Sequence, residues 1–137
     1  MSTSTNTEII QLAYERFGSG DIPGLLVLCA ENIGWEVPEI ENAPFSGTRE
    51  GTKAVGEFFA QLTDAEDITR FEPLEFVAQN DKVIVLGESA ATVKATGRGY
   101  ETDWVHVFTV RDGKITNFHE YIDSAAANRA FQKTASA

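Results

Sequence analysis

Apolar residues recur every three or four positions near the start of the chain, at Ile9, Ile10, Ala13, Tyr14 and Phe17, and Gly18 and Gly20 close the run. That spacing predicts a helix with one buried stripe. Thr5 and Glu8 have the spacing of a capping box, so residues 1–5 are expected as a flexible N-terminus. Asp21 offers an N-cap for a second helix, with Pro23 in its first turn and Leu25, Leu26, Leu28 and Cys29 on its buried side. Ile33, Trp35 and Val37 then alternate with Gly34, Glu36 and Pro38, the period of a short strand ended by proline. The stretch from Glu39 to Gly47 reads as a loop. A third helix carries Val55, Phe58, Phe59 and Leu62 at i, i+3, i+4 and i+7.

Beyond the polar connection Asp64 to Asp67 the period changes to two. Strands are predicted at about 68–79, 82–94, 100–111 and 114–122, and a last helix is predicted from Ser124 to Phe131, capped by Asp123. Helices set apart from a strand meander define an α+β class, and the links between strands are too short for parallel crossovers. The expected organisation is one domain over residues 6–133, with a second flexible end at 134–137.

Asp112-Gly113 between two alternating runs is a strong hairpin signal, because both turn residues must accept a positive φ. A two-residue turn sets Arg111 opposite Lys114, Phe108 opposite Asn117, His106 opposite His119 and Trp104 opposite Tyr121. One face of the hairpin then carries Asp103, Val105 and Val107 with Phe118, Glu120 and Ile122. Asp103 and Glu120 lie diagonally on this otherwise apolar face, about 7–8 Å apart. Carboxylates on an apolar face need a partner or a task. The other face carries Trp104, His106 and Phe108 with His119 and Tyr121. Both faces are apolar, and the helices can cover only one. A second copy packed on the other face about a two-fold axis resolves this. Strand curvature that hides the aromatics within one chain is the alternative.

Of the 137 residues, 42% are hydrophobic, as in an ordinary globular domain. The formal net charge of −10 argues against nucleic acid and against an anionic membrane surface as partners. Cys29 is the sole cysteine, which excludes an internal disulfide and a cysteine-rich zinc site; it reads as a core thiol in a reducing compartment. No signal-peptide pattern or membrane-length apolar run is visible, and the expected location is cytoplasmic.

The helix with Gly20-Asp21-Ile22, the strand ending Trp35-Glu36-Val37-Pro38, the segment Phe45 to Gly51 leading into Phe58-Phe59, and the ending Trp104 to Asp123 together resemble the SnoaL-like, ketosteroid-isomerase-like branch of the nuclear-transport-factor-two-like superfamily. The resemblance implies a curved antiparallel sheet wrapped around helices to form a cone (a cystatin-like α+β barrel roll) that encloses a deep apolar pocket. It also implies a homodimer packed sheet to sheet, with Trp104, His106, Phe108, His119 and Tyr121 on the outer face. In the isomerase pattern an aspartic acid on the penultimate strand points into the pocket, and Asp103 falls there. Val105, Val107, Phe118, Glu120 and Ile122 would share the interior.

The departures bear on chemistry. The isomerase's general base would fall on Val37, which cannot abstract a proton. Its oxyanion tyrosine would fall on Ala13, one place before Tyr14, and its supporting tyrosines on Cys29 and Phe59. The epoxide-hydrolase pattern wants an arginine where Glu101 stands. The chain is therefore read as something other than a true ketosteroid isomerase.

The candidate catalytic pair is Asp103 and Glu120. In a dry pocket each ionised carboxylate opposes ionisation of the other, so one can donate while the other accepts. Candidate ligand-contacting residues are Tyr14, Trp35, Val37, Phe45, Phe58 and Phe59, together with Val105, Val107, Phe118 and Ile122. Core packing explains Phe58 and Phe59 equally well, and Tyr14 either reaches the cavity or caps the helices. Glu88 is a second acid or the point where its strand meets solvent. His106 and His119, as cross-strand neighbours, have the spacing of a metal pair but lack a third ligand, so no metal is assigned. No cofactor motif is present. The expected function is that of a small-molecule pocket protein: a cofactor-independent acid/base enzyme of isomerase, cyclase, dehydratase or hydrolase type, acting on a small hydrophobic carbonyl or cyclic metabolite. The alternative is a non-catalytic ligand-binding or dimeric assembly module of the same fold.

Overall fold

The computed structural model describes residues 3–133; the end expected at 134–137 lies outside the described residues. Helix α1 (Thr3–Gly18) starts before Thr5, which lies inside the helix instead of at its cap. Asp21 caps α2 (Ile22–Val27) by accepting from the Gly24 amide. This helix stops short of Cys29, which instead opens strand β1 (Cys29–Val37). A short strand, β2 (Gly47–Glu50), which has no counterpart among the expected elements, begins where the expected loop Glu39 to Gly47 ends and pairs antiparallel with β1. Then come α3 (Thr52–Ala65), β3 (Glu66–Gln79), β4 (Lys82–Val93), β5 (Gly99–Arg111), β6 (Lys114–Ile122) and α4 (Ser124–Phe131).

The class is α+β. The six strands form one curved, unclosed sheet in the order β2-β1-β6-β5-β4-β3. All neighbours are antiparallel except β1 and β6, which run parallel because β1 returns to the sheet edge left free by the meander. Helices α1 and α3 pack on the concave side, where Ile10, Val55, Phe58 and Phe59 meet Val83, Val85, Ile115 and Phe118 in one core.

The last turn follows its sequence signal. Asp112 and Gly113 have φ of 51° and 77°, and Arg111 pairs with Lys114. Two residues further on, the register departs from the simple hairpin. Val110 pairs with Ile115 but Thr109 pairs with Asn117, so Thr116 is an extra residue on β6. A bulge of this kind bends the strand and shifts everything beyond it by one place. His106 therefore lies opposite Glu120, Phe108 opposite Phe118 and Trp104 opposite Ile122. The β6 face stays as read, with Phe118, Glu120 and Ile122 inward, and the β5 face is reversed. Trp104, His106 and Phe108 are buried within the chain, while Asp103 is exposed and Val105 and Val107 are half-buried on the convex side. Of the five residues expected on the outer face, His119 and Tyr121 are there; the other three belong to the core.

Trp104 lies across its β4 partner Gly87: a Cβ built on Gly87 would stand 2.2 Å from the indole ring. Inward positions of β5 thus run Tyr100, Thr102, Trp104, His106, Phe108, and all but Trp104 line the site.

Candidate functional site

The concave face of the sheet and helices α1 and α3 enclose a cavity of about 110 Å³. An engineered cavity of about 150 Å³ takes up benzene, which sets the size class here at about one ring. Trp35 from β1, Phe45 from the loop before β2, Phe58 and Phe59 from α3, and Phe118 and Ile122 from β6 line it, as does Tyr14 from α1. Val37 is buried in the core at the far end of β1, opposite Gly47, and does not reach the cavity lining. Asp103, Val105 and Val107 lie on the other side of the sheet. Asp103 stands opposite Glu88, and the structure does not bring it together with Glu120.

Glu120 meets His106 instead. The Nε2 of His106 is 2.8 Å from a carboxylate oxygen of Glu120, and its Nδ1 is 2.7 Å from the Tyr14 hydroxyl. An ionised carboxylate only accepts, so Nε2–H donates to Glu120. In the neutral ring Nδ1 is then the acceptor, and the Tyr14 O–H donates to it. Burial, and then the negative charge of Glu120, hold the Tyr14 hydroxyl far above the ordinary phenol range, so it keeps its proton. The result is a continuous chain, Tyr14 to His106 to Glu120.

The ring is held by aromatic packing. Trp104 stacks on it with centroids 4.0 Å apart, and Phe118 meets it edge-on at 4.8 Å. His106 is 4% exposed, which leaves its two hydrogen bonds as its polar contacts. The Glu120 side chain is 23% exposed and lines the cavity, and its second oxygen has no hydrogen-bond partner among the described residues.

A second polar pair lines the same cavity. Tyr100 donates to Glu66 at 2.6 Å, and Glu66 is buried. Burial pushes the Glu66 carboxyl up to about 7; the Tyr100 hydrogen bond opposes this and the Glu120 charge adds to it. Between the ordinary value of 4.5 and about 7 the native carboxyl keeps its proton while the unfolded chain has lost it. The native state then binds more protons, so stability falls as pH rises through this window and levels off above it. The expected slope approaches about 1.4 kcal/mol per pH unit. Urea unfolding from about pH 5 to about pH 8 checks this. Glu66→Gln should remove the slope in that window, and identical pH profiles for the two proteins would contradict it.

Neither member of this pair was legible as a site residue; Glu66 sits in an acidic run that reads as a solvated loop. His106 had a usable signal. The set Trp104, His106, Phe108, Val110 is more apolar and aromatic than Asp103, Val105, Val107, Thr109, and the more apolar set belongs inside.

His106 and His119 point to opposite sides of the sheet. His119 is on the convex face, stacked on Tyr121 and 3.1 Å from Glu36. Among the described residues no group of three or more His, Cys, Asp or Glu is arranged to hold a metal ion. Cys29 is buried, and burial pushes its thiol up to about 11, so it is an unreactive core group. No helix among the described residues is long and apolar enough to cross a membrane.

A family model for the SnoaL-like domain matches residues 10–118. Among solved structures, a nuclear-transport-factor-two-like protein from Burkholderia xenovorans LB400 is 40% identical, with a TM-score of 0.88 over 96% of this chain and 99% of that one. A protein of the same fold and unknown function from Burkholderia pseudomallei K96243 is 27% identical, with a TM-score of 0.86 over 97% and 100%. TerC, co-crystallised with polyporic acid, is 30% identical, with a TM-score of 0.83 over 94% and 99%. No curated protein matches the chain.

Proposed function

The chain belongs to the SnoaL-like family, and from that footing we propose that it is a cofactor-independent acid/base enzyme acting on a small hydrophobic carbonyl or cyclic metabolite, of isomerase, cyclase, dehydratase or hydrolase type. One observation carries this reading: the hydrogen-bonded chain from Tyr14 through His106 to Glu120 in the wall of an apolar, one-ring cavity. Glu120 is the base. Its free oxygen takes a proton from the carbon next to a ligand carbonyl, and the C–H electron pair moves toward the carbonyl oxygen. Tyr14, which keeps its proton, turns its O–H to that oxygen. His106 holds Glu120 in place through its Nε2–H, and its Nδ1 is without a donor while Tyr14 faces the ligand. Return of the proton to the same or another carbon closes the cycle. Positioned acid/base groups of this kind typically supply about 10²- to 10⁴-fold.

Solvent-deuterium incorporation into a panel of ring ketones, followed by proton NMR, tests the proposal. Protein-dependent exchange next to the carbonyl supports it; binding without exchange across the panel defeats it. That second outcome belongs to the other reading, a carrier that holds such a ligand without turnover. The observation favouring the carrier is that both ring nitrogens of His106 are already engaged. TerC was co-crystallised with polyporic acid, which is consistent with either.

We also propose that the protein is a cytoplasmic homodimer formed through the convex sheet face. Val77, Ile84 and Val107 lie in one row across that face, and Leu86, Val105 and Tyr121 in the next. Val77, Leu86 and Tyr121 are exposed. A contiguous apolar patch of this kind marks an interface. Sedimentation should give a dimer, and Leu86→Lys with Val105→Lys should give a folded monomer. A wild-type monomer at high micromolar concentration would refute this.

A further inference from the structure

We infer that Glu66 and Tyr100 form a second polar station of the cavity, where a neutral Glu66 carboxyl donates to a ligand oxygen, so that the natural ligand is a ring compound with two oxygen functions, one for each station. The inference rests on the reading of the cavity as a small-molecule site and adds the ligand's chemistry to it.

Glu66 opens β3 at the edge of the sheet, directly after α3, and the residue is 6% exposed. A carboxyl at such a place has to be neutral or well partnered. Tyr100 is its one hydrogen-bond partner among the described residues, and it donates to Oε2 alone. A proton on the carboxyl therefore belongs on Oε1, a donor with no protein acceptor among the described residues. Both groups line the cavity that Glu120 lines. They enter it from the other end of the wall: Tyr100 and His106 occupy inward positions of β5 with Thr102 and Trp104 between them. An apolar cavity with a base at one end and a donor at the other reads a ligand with an oxygen at both.

Burial and the Glu120 charge favour the neutral Glu66 carboxyl, and the Tyr100 hydrogen bond opposes them. From β5 comes the Tyr100 hydroxyl, which burial and the nearby Glu66 and Glu120 charges hold in its protonated form. From β6 comes Glu120, whose negative charge opposes a second one. His106 from β5 and Tyr14 from α1 are engaged with each other. Helix α3 turns Phe58, Phe59 and Leu62 to the cavity, and β4 turns Ser89 and Ala91. No cation lines it.

Cyclohexanone and 1,4-cyclohexanedione, whose second oxygen only accepts, are the probes, titrated into the wild-type protein, Glu66→Gln and Glu66→Leu with ligand-observed NMR. The dione is expected to bind wild type about three- to tenfold more tightly than cyclohexanone, the range of one neutral hydrogen bond. Gln, which keeps a donor, should retain most of that gain, and Leu should lose it while still binding cyclohexanone. In wild type alone, the gain should shrink as pH rises from about 6 to about 8, because an ionised Glu66 no longer donates; in Glu66→Gln it should be flat. A dione that gains nothing over cyclohexanone, or a gain that survives in Glu66→Leu, overturns the second station and leaves the ligand-pocket reading standing. Binding of neither probe at millimolar concentration overturns both. The wild-type pH series decides the matter if a variant fails to fold.

Discussion

Replacing Glu120 by Gln is expected to lower proton exchange at a ring ketone by about 10²- to 10⁴-fold while leaving ligand binding and the fold near wild type. The amide oxygen of a Gln still accepts the His106 Nε2–H that Glu120 accepts at 2.8 Å. The aromatic packing about His106 is therefore undisturbed, and only the capacity to take up a proton is lost. The loss should fall on kcat, with KM held. Glu120→Leu is expected to do more than that. It leaves a buried Nε2–H without an acceptor, which costs about 1–3 kcal/mol of stability in addition to activity. Exchange kinetics and urea unfolding on both variants separate the two effects. A Gln variant that exchanges at the wild-type rate would remove Glu120 from the chemistry.

The largest stability effect is expected at Trp104. Trp104→Ala should cost about 3–5 kcal/mol, as for a large aromatic deleted from a packed core. The indole stacks on His106 at 4.0 Å and on Phe71 at 4.9 Å, and it covers the bare backbone of Gly87. The same contact makes Gly87 intolerant of a side chain. A methyl group there meets three indole atoms between 2.2 and 2.5 Å, and Gly87→Ala should cost about 1–3 kcal/mol through overpacking. Because both changes act on one contact, the double variant should be less destabilised than the sum of the single ones. Strict additivity in urea unfolding would show that the two positions do not touch. Trp104→Ala should also weaken exchange, since the ring that holds the imidazole plane is gone.

The elements themselves were legible because their causes are local. Helical spacing, the Asp21 and Asp123 caps, and the Asp112-Gly113 turn act over a few residues, and each does in the structure what its chemistry demands. Strand β2 escaped because Gly47–Glu50 carries no alternation of its own and exists only by pairing with β1. Cys29 reads as helical in the sequence because one apolar run crosses from α2 into β1 without a break.

The chain taken alone determined the α+β class, the family, the apolar character of both hairpin faces and the inward placing of Glu120. Which residue would meet Glu120 was decided by tertiary structure. In a strand, successive side chains point to opposite sides, so one unpaired residue at Thr116 exchanges the two faces of β5. Nothing local marks that bulge. It is set by how the curved sheet closes over its core, where Trp104, His106 and Phe108 remove more apolar surface from water than Asp103, Val105 and Val107 would. The acid pair suggested by a regular hairpin thereby becomes a carboxylate, an imidazole and a phenol in one line.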